Sequence, residues 1–191
     1  MTTIRTRAAV PPLEGARGRP AVHRVARPLA GRSLRRRLVV VAPDVVETAR
    51  FAGGWLVDRV LAGWEATVLC AEEGDPLPLR ILGAASAPLG PAVYSAVLRA
   101  KPHAVAVHAA LYGRDPRIRR LVDEAAAAGT DEVVLWGGPR LLDPAAAGMM
   151  PHRPSRAARV FKARALLAAA ADPGSVEPVE IFRKAGPLAW P

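Results

Sequence analysis

Five short apolar segments that alternate with segments of helical periodicity constrain the fold of this 191-residue chain most strongly. The clearest is Leu-Val-Val-Val-Ala at residues 38–42, which ends at Pro43-Asp44. A run that is apolar on both faces is typical of a buried strand in a parallel sheet, because helices cover both faces of such a sheet. The other four predicted strands span residues 66–71, 79–82, 104–108 and 132–136.

Helical segments separate these strands. After the first strand, apolar residues recur at steps of three or four from Val45 to Val60. This spacing predicts a helix that Asp44 caps and that ends near Gly63. Further helices are predicted over residues 91–100, 115–128 and 153–171, the last with Ser155 as its N-cap. Strands and helices in alternation predict a doubly wound α/β fold with a five-stranded, mostly parallel sheet.

The predicted domain organisation has three parts. Residues 1–37 combine Pro, Gly and Arg without either periodicity, which predicts a disordered basic tail. Residues 38–142 form the Rossmann-like α/β domain. Residues 143–191 hold the last helix and a Pro-rich tail, from which Val179, Ile181 and Phe182 can dock onto the domain.

The formal net charge of +10 is concentrated at the two ends of the chain. Residues 1–37 hold ten Arg and one acid, residues 38–150 have a net charge of −3, and residues 151–191 have a net charge of +4. Basic ends on a mildly acidic body differ from a uniformly basic nucleic-acid-binding domain. Non-specific nucleic-acid binding through those ends is an alternative, and a solvated tail has the same composition. The residues predicted to contact phosphate are Arg35, Arg36, Arg37, Arg156, Arg159 and Lys162.

The compartment and the redox chemistry follow from what the sequence lacks. Cys70 is the only cysteine, so an intrachain disulfide is excluded. The basic start is not followed by the apolar core of a secretory signal, and no apolar stretch reaches the ~20 residues of a membrane span. We therefore expect a cytoplasmic protein with no membrane partner.

Several common active-site motifs are missing from the sequence. There is no Gly-x-Gly-x-x-Gly after the first strand, no Gly-x-x-x-x-Gly-Lys-Ser/Thr and no Gly-x-Ser-x-Gly. These absences argue against ordinary dinucleotide binding, P-loop chemistry and a serine-hydrolase elbow. No His-x-x-x-His or similar spacing occurs, so no metal site is predicted.

The predicted ligand edge is where the parallel strands end. Ligands of open parallel sheets bind beyond the carboxyl ends of the strands. Cys70, Glu72 and Trp136 are expected at this edge. The residues predicted to bind a small molecule are Asp44, His108, Tyr112, Gly137 and Gly138.

Each of these candidates also has a structural interpretation. Asp44 can serve only as the helix cap, His108 can be a hydrogen-bonded residue at a strand end, and Gly137-Gly138 can be a plain turn. The pair Gly53-Gly54 lies inside the first helix, where glycine is unfavourable. Close packing explains the pair better than the alternative, in which the helix begins near Gly54 and residues 43–53 form a ligand loop.

Part of the chain resembles the cobalamin-binding domain. Residues 62–69 (Ala-Gly-Trp-Glu-Ala-Thr-Val-Leu) resemble its approach to the second strand, and residues 101–107 (Lys-Pro-His-Ala-Val-Ala-Val) resemble the segment that leads into its fourth strand. Gly137-Gly138 matches the glycine pair that approaches the cofactor's nucleotide tail in that family. The resemblance covers residues 38–138 and implies a Rossmann-like fold with cobalamin as a possible cofactor.

The resemblance does not extend to the cobalt ligand. Residues 44–49 read Asp-Val-Val-Glu-Thr-Ala where the family has Asp-x-His-x-x-Gly. Residues 108–110 replace the family's Ser-x-Leu. The histidine that would ligate cobalt is therefore missing, and a His-ligated mode of cobalamin binding is not expected.

Three functions remain open from the sequence. The favoured one is a non-catalytic small-molecule-binding or sensory and regulatory module, with an unknown ligand at the carboxyl edge. The second is a nucleic-acid-associated or protein-interaction protein that acts through its basic ends. The third is an enzyme that uses Asp44 and His108 as an acid–base pair.

Overall fold

The first predicted strand, β1 (Arg37–Ala42), is the middle one of five parallel strands. The computed structural model describes residues 35–137, 148–175 and 177–185. β1 pairs in parallel with β2 on one side and with β4 on the other. β3 lies outside β2, and β5 lies outside β4, also in parallel. The bounds are β1 Arg37–Ala42, β2 Glu65–Cys70, β3 Ala85–Pro88, β4 Ala104–His108 and β5 Glu132–Trp136.

Two antiparallel strands extend the sheet beyond β5. β7 (Glu180–Lys184) pairs with β5, and β6 (Met149–His152) pairs with the far side of β7. The full order is β3-β2-β1-β4-β5-β7-β6. The α/β class is therefore confirmed for a single domain, whereas the predicted five-stranded, mostly parallel sheet is matched only in part, because the sheet is mixed and has seven strands among the described residues. The C-terminal residues that were expected to dock as a tail form a strand of the sheet.

Helices cover both faces of the sheet. Buried residues of α1, α2 and α6 pack on one face, and those of α3, α4 and α5 pack on the other. The strands are buried on both faces, which agrees with their continuous apolar sequences. The helices are α1 Val45–Leu61, α2 Leu77–Ile81, α3 Pro91–Ala100, α4 Ala109–Arg114, α5 Pro116–Ala127 and α6 Arg156–Ala168, with a short 3-10 helix at Pro173–Ser175.

Both predicted N-caps are confirmed. Oδ1 of Asp44 accepts a hydrogen bond of 2.7 Å from the N–H of Glu47, and Oγ of Ser155 accepts one of 3.1 Å from the N–H of Ala158. Each cap satisfies one of the N–H groups that a helix start leaves without an intrahelical partner.

The predicted third strand is wrong. Most of residues 79–82 belong to α2, which begins after Pro76 and ends before Gly83 at φ +82°. Asp75 accepts a hydrogen bond from the N–H of Leu77, and Leu79 and Leu82 face the core at helical spacing. The strand follows instead at Ala85–Pro88, whose Ala-Ser-Ala-Pro sequence has little strand propensity.

The packing interpretation of the glycine pair is correct. α1 runs without interruption through Gly53 and Gly54, and both residues are buried, so residues 43–53 do not form a loop. A Cβ on Gly54 would lie 2.5 Å from Cγ of Pro154, whereas one on Gly53 would meet nothing closer than Cγ of Lys162 at 3.4 Å. The close contact with Pro154 therefore requires a glycine at position 54 but not at position 53.

The structure also bears on the membrane prediction. Within the described residues, no helix is long and apolar enough to span a bilayer.

Replacing the two glycines separately tests this packing. We expect Gly54→Ala to lower the free energy of unfolding by about 2 kcal/mol, because overpacking against the rigid Pro154 ring outweighs the gain in helix propensity. Gly53→Ala is the matched control and should be neutral or stabilising by up to about 1 kcal/mol. Urea denaturation followed by tryptophan fluorescence measures both. Equal stabilities for the two variants would contradict the close contact at Gly54.

Candidate functional site

The strand order reverses between β1 and β4. The strand after β1 lies on one side of it, and the strand after β4 lies on the opposite side. This reversal opens a crevice at the carboxyl ends of β1 and β4, the usual ligand position in such sheets. Asp44 follows β1, and His108 is the last residue of β4, so the fold brings these two predicted site residues to the same crevice.

Glu47 completes this group, although the sequence analysis did not select it. It lies in the first turn of α1, and its Oε2 is 3.6 Å from Nε2 of His108. The side chain of Glu47 is 31% exposed, so the carboxylate can meet both the imidazole and an incoming molecule. The spacing Asp-x-x-Glu at a helix start was the available signal, because it places the glutamate in the first turn.

His108 is held in one orientation. The residue is buried, and its Nδ1 accepts a hydrogen bond of 3.2 Å from the N–H of Ala110. The edge of its ring meets Trp136, with 4.8 Å between the ring centroids. The hydrogen bond assigns the proton of the neutral ring to Nε2, which faces Glu47. That Nε2 is buried and has no hydrogen-bond partner among the described residues.

Burial moves the pKa values of Glu47 and His108 toward each other. Desolvation raises the pKa of Glu47 above 4.5, and the negative charge of Asp44 raises it further, while Arg50 opposes the shift. Desolvation lowers the pKa of His108 below 6.5, against a smaller opposite effect from Asp44. Arg114 lowers the pKa of His108 further. The site therefore favours the neutral form of both groups, as acid–base sites often do.

The remaining candidates at this edge are placed differently. Burial raises the pKa of Cys70 to about 11, so its thiol is protonated near neutral pH. Tyr112 is buried in the core on the opposite face of the sheet from Trp136. Glu72 lies in an exposed loop. Its binding role and that of Tyr112 stay predictions.

Gly137 has a close neighbour, and that neighbour is His108. The residue is buried at φ +68°, and a Cβ there would overlap Cδ2 and Nε2 of the imidazole. A glycine is thus needed to leave room for the ring. Ligand contact at Gly137 stays a prediction, and Gly138 lies outside the described residues.

The residues predicted to contact phosphate lie at the start of β1 and on α6. Arg35 and Arg36 are exposed at the start of β1, and Arg37 is half-buried there, whereas Arg156 and Arg159 are exposed on α6. The prediction for Lys162 is wrong, because its side chain is fully buried and its Nζ lies 2.6 Å from Oε1 of Glu180. An ammonium group in that position cannot reach a phosphate backbone.

A separate cavity of about 230 Å³ lies at the opposite end of the sheet, between α3 and α5. Its polar lining includes Lys101, His103 and Asp131. Nδ1 of His103 accepts a hydrogen bond from the N–H of Arg37 and thereby links two strands. In the described part of the chain, no group of three His, Cys, Asp or Glu side chains could hold a metal ion.

Comparisons with known proteins identify the fold. No protein-family model matches the chain, and no curated protein matches its sequence. The conserved protein TT1542 from Thermus thermophilus has a similar structure, with 19% identity, a TM-score of 0.56 and coverage of 80% of this chain and 96% of that protein. A triple mutant of the deacetylase Orf2 of teicoplanin biosynthesis is similar at 13% identity and a TM-score of 0.55, with coverage of 78% and 97%. GalB, the 4-carboxy-2-hydroxymuconate hydratase of Pseudomonas putida, is similar at 12% identity and a TM-score of 0.55, with coverage of 82% and 98%.

These comparisons overturn two expectations. The resemblance to the cobalamin-binding domain is wrong, because the similar solved structures are of the deacetylase and hydratase kind, so cobalamin loses its support as a cofactor. The prediction of a non-catalytic, regulatory binding module is also wrong, because the named proteins of this fold include enzymes. The chain has the fold of TT1542, the teicoplanin deacetylase and GalB over about four fifths of its length.

Proposed function

We propose that this protein is an enzyme that adds water to a carbon activated by a carbonyl group. The observation that carries the proposal is the pair formed by Glu47 and His108, with 3.6 Å between Oε2 and Nε2 at the crevice of the sheet. A carboxyl group and an imidazole whose neutral forms are both favoured by burial suit general acid–base catalysis.

Glu47 is the general base in this proposal. Desolvation and the charge of Asp44 raise its pKa, which strengthens the carboxylate as a proton acceptor. The carboxylate removes a proton from a water molecule, and the resulting hydroxide attacks the carbonyl carbon. In the hydrolysis of an amide, the carboxylic acid of Glu47 then returns the proton to the departing amine.

His108 stabilises the oxygen on which negative charge develops. Because Ala110 donates to Nδ1, the neutral ring presents an N–H at Nε2, and no described residue accepts from it. A donor held in a dry site is more effective toward an oxyanion than the same donor in water. Trp136 and Gly137 fix the position of the ring from two sides.

The reaction class is hydrolysis of an acyl bond, with hydration of a conjugated double bond as the second possibility. A deacetylase and a hydratase are among the proteins of this fold, and both reactions consume water. That parallel is an analogy between folds, so the roles given to Glu47 and His108 rest on their own geometry. Acyl hydrolysis comes first because it needs both a base and an oxyanion donor.

Removing the carboxylate of Glu47 tests the proposal directly. We expect Glu47→Gln to lower kcat/KM by roughly 10²–10⁴, the usual contribution of a general base. The assay compares hydrolysis of 4-nitrophenyl esters and N-acetylated amines, and hydration of α,β-unsaturated carboxylates. Glu73→Gln is the matched control, because Glu73 lies in an exposed loop, and it should retain full activity. Equal rates for the wild type, Glu47→Gln and His108→Gln would show that the proposed site does not catalyse these reactions.

The pH dependence of activity tests the electrostatics. Because the base must be ionised, kcat/KM should rise with pH through the pKa of Glu47, with a midpoint above 4.5. Desolvation lowers the pKa of His108 below 6.5, which favours the neutral imidazole that the proposed donor role requires. Asp44→Asn keeps an efficient N-cap but removes the charge that raises the pKa of Glu47. We therefore expect its activity profile to shift to lower pH.

The same variants separate the two carboxylates. If Asp44→Asn is inactive at every pH while Glu47→Gln stays active, Asp44 is the base and the role of Glu47 is wrong. An unshifted profile in an active Asp44→Asn variant would contradict the coupling of the two charges.

A further inference from the structure

A buried carboxylate contacts the backbone in the middle of α1. Glu180 of β7 is almost fully buried, and its Oε1 accepts a hydrogen bond of 2.8 Å from the N–H of Gly54. Its Oε2 accepts one of 2.6 Å from the N–H of Trp55. The ammonium of Lys162, from α6, donates to Oε1 at 2.6 Å and is fully buried as well. Three donors therefore converge on this carboxylate.

This contact is unusual because it lies inside a helix. In a regular α-helix, the N–H groups of residues 54 and 55 would donate to the carbonyl oxygens of residues 50 and 51. Glu180 competes for both donors. Two adjacent N–H groups that meet an anion are characteristic of a helix N-terminus. Glu180 therefore contacts Gly54 and Trp55 as an anion contacts a helix start, although α1 continues through both residues.

Gly54 makes the approach of this carboxylate possible. A Cβ at this position would lie 3.1 Å from Oε1 of Glu180 and 2.5 Å from Cγ of Pro154. Neighbouring Gly53 faces the stem of Lys162 and Leu82. The glycine pair thus lies where β7 and α6 meet α1, and this contact separates the part of the helix before Gly54 from the part after it.

The first part, residues 45–53, is termed the leading segment. It carries Glu47 and follows Asp44 at the carboxyl edge of the sheet. Its residues buried toward the core are Val45, Thr48, Ala49, Ala52 and Gly53, most of them small, and half-buried Phe51 packs against the same core. These contacts hold the segment against the sheet, and the hydrogen bond to Glu180 holds its far end at Gly54.

We propose that Glu180 is a positioning residue that holds the leading segment so that Glu47 faces His108. The proposal rests on the function proposed above for Glu47. A buried ion pair is weak evidence of a gain in stability, since apolar residues of similar volume often serve as well. A carboxylate that accepts from two defined N–H groups does fix the orientation of the backbone that carries them, because hydrogen bonds are directional and apolar contacts are not. The positive charge of Lys162 offsets the cost of burying this carboxylate.

Hydrogen exchange measures the effect without any substrate. Glu180→Gln keeps one acceptor oxygen but replaces the other with an amide nitrogen, which cannot accept from the N–H of Trp55. We expect the amides of residues 45–55 to exchange ~10-fold faster or more, while those of β1 and β4 keep their protection. The side-chain carbon of Glu47, observed by NMR, should titrate with a pKa closer to 4.5, because a loosened segment leaves its carboxyl better solvated.

A second carboxylate contact to α1 provides the matched control. Glu132 of β5 binds Arg59 near the other end of the helix, at 2.7 Å from Oε2 to Nη2. Glu132→Gln should leave the exchange of residues 45–55 and the titration of Glu47 unchanged. If Glu180→Gln does not fold, the double variant Glu180→Gln/Lys162→Met removes both buried charges and takes its place in the experiment.

The outcomes separate this inference from the proposed function. Exchange that accelerates equally across the sheet, or not at all in residues 45–55, would overturn the positioning role. A local acceleration with the expected shift in Glu47 supports it, even if none of the acyl compounds is hydrolysed. Where activity is present, Glu180→Gln should lower kcat by ~10-fold or more and leave KM nearly unchanged, since Glu180 acts on the base and not on substrate binding.

Discussion

The parallel pairing of β1 with both β2 and β4 is the constraint on which the site depends. β2 and then β3 are added on one side of β1. The chain therefore returns from β3 to the other side of β1 to form β4, and the strand order reverses between β1 and β4. The reversal leaves the carboxyl ends of β1 and β4 open toward the start of α1. Glu47 and His108, which are far apart in sequence, meet only because these two strands are neighbours.

The carboxylate of Glu180 and Nε2 of His108 are both buried, but only the first has hydrogen-bond partners among the described residues. Glu180 accepts from two backbone N–H groups and from Lys162, so its charge is fully compensated and the contact is structural. Nε2 of His108 has no hydrogen-bond partner in the described part of the chain, and Glu47 beside it has a raised pKa. An uncompensated donor costs stability in the absence of a ligand, and it is available when an oxygen atom is bound. His108 is therefore the group available to a ligand, whereas Glu180 is occupied by contacts within the fold.

The sequence predicted the elements whose signals are local. The apolar runs of β1, β2, β4 and β5 and the caps at Asp44 and Ser155 were readable because each signal spans only a few residues. The third strand was misplaced because Leu79 and Leu82 fit a helix as well as a strand. β6 and the pairing of β7 were missed, since short strands that contain Pro151 or follow a Pro-rich segment form only by joining an existing sheet. Lys162 was assigned to the surface because its partner, Glu180, is distant in sequence.

The mistaken resemblance to the cobalamin-binding domain has the same origin. Residues 62–69 and 101–107 lead into parallel strands, and any doubly wound sheet needs a helix end, a turn and an apolar strand at those places. Gly137 was interpreted as room for a cofactor, yet the group that occupies that room is the imidazole of His108. A glycine at a strand end shows that something approaches the backbone closely, and only the contacts of the folded chain identify what it is. Here they identify the imidazole of His108, whose Nε2 lies 3.6 Å from Oε2 of Glu47.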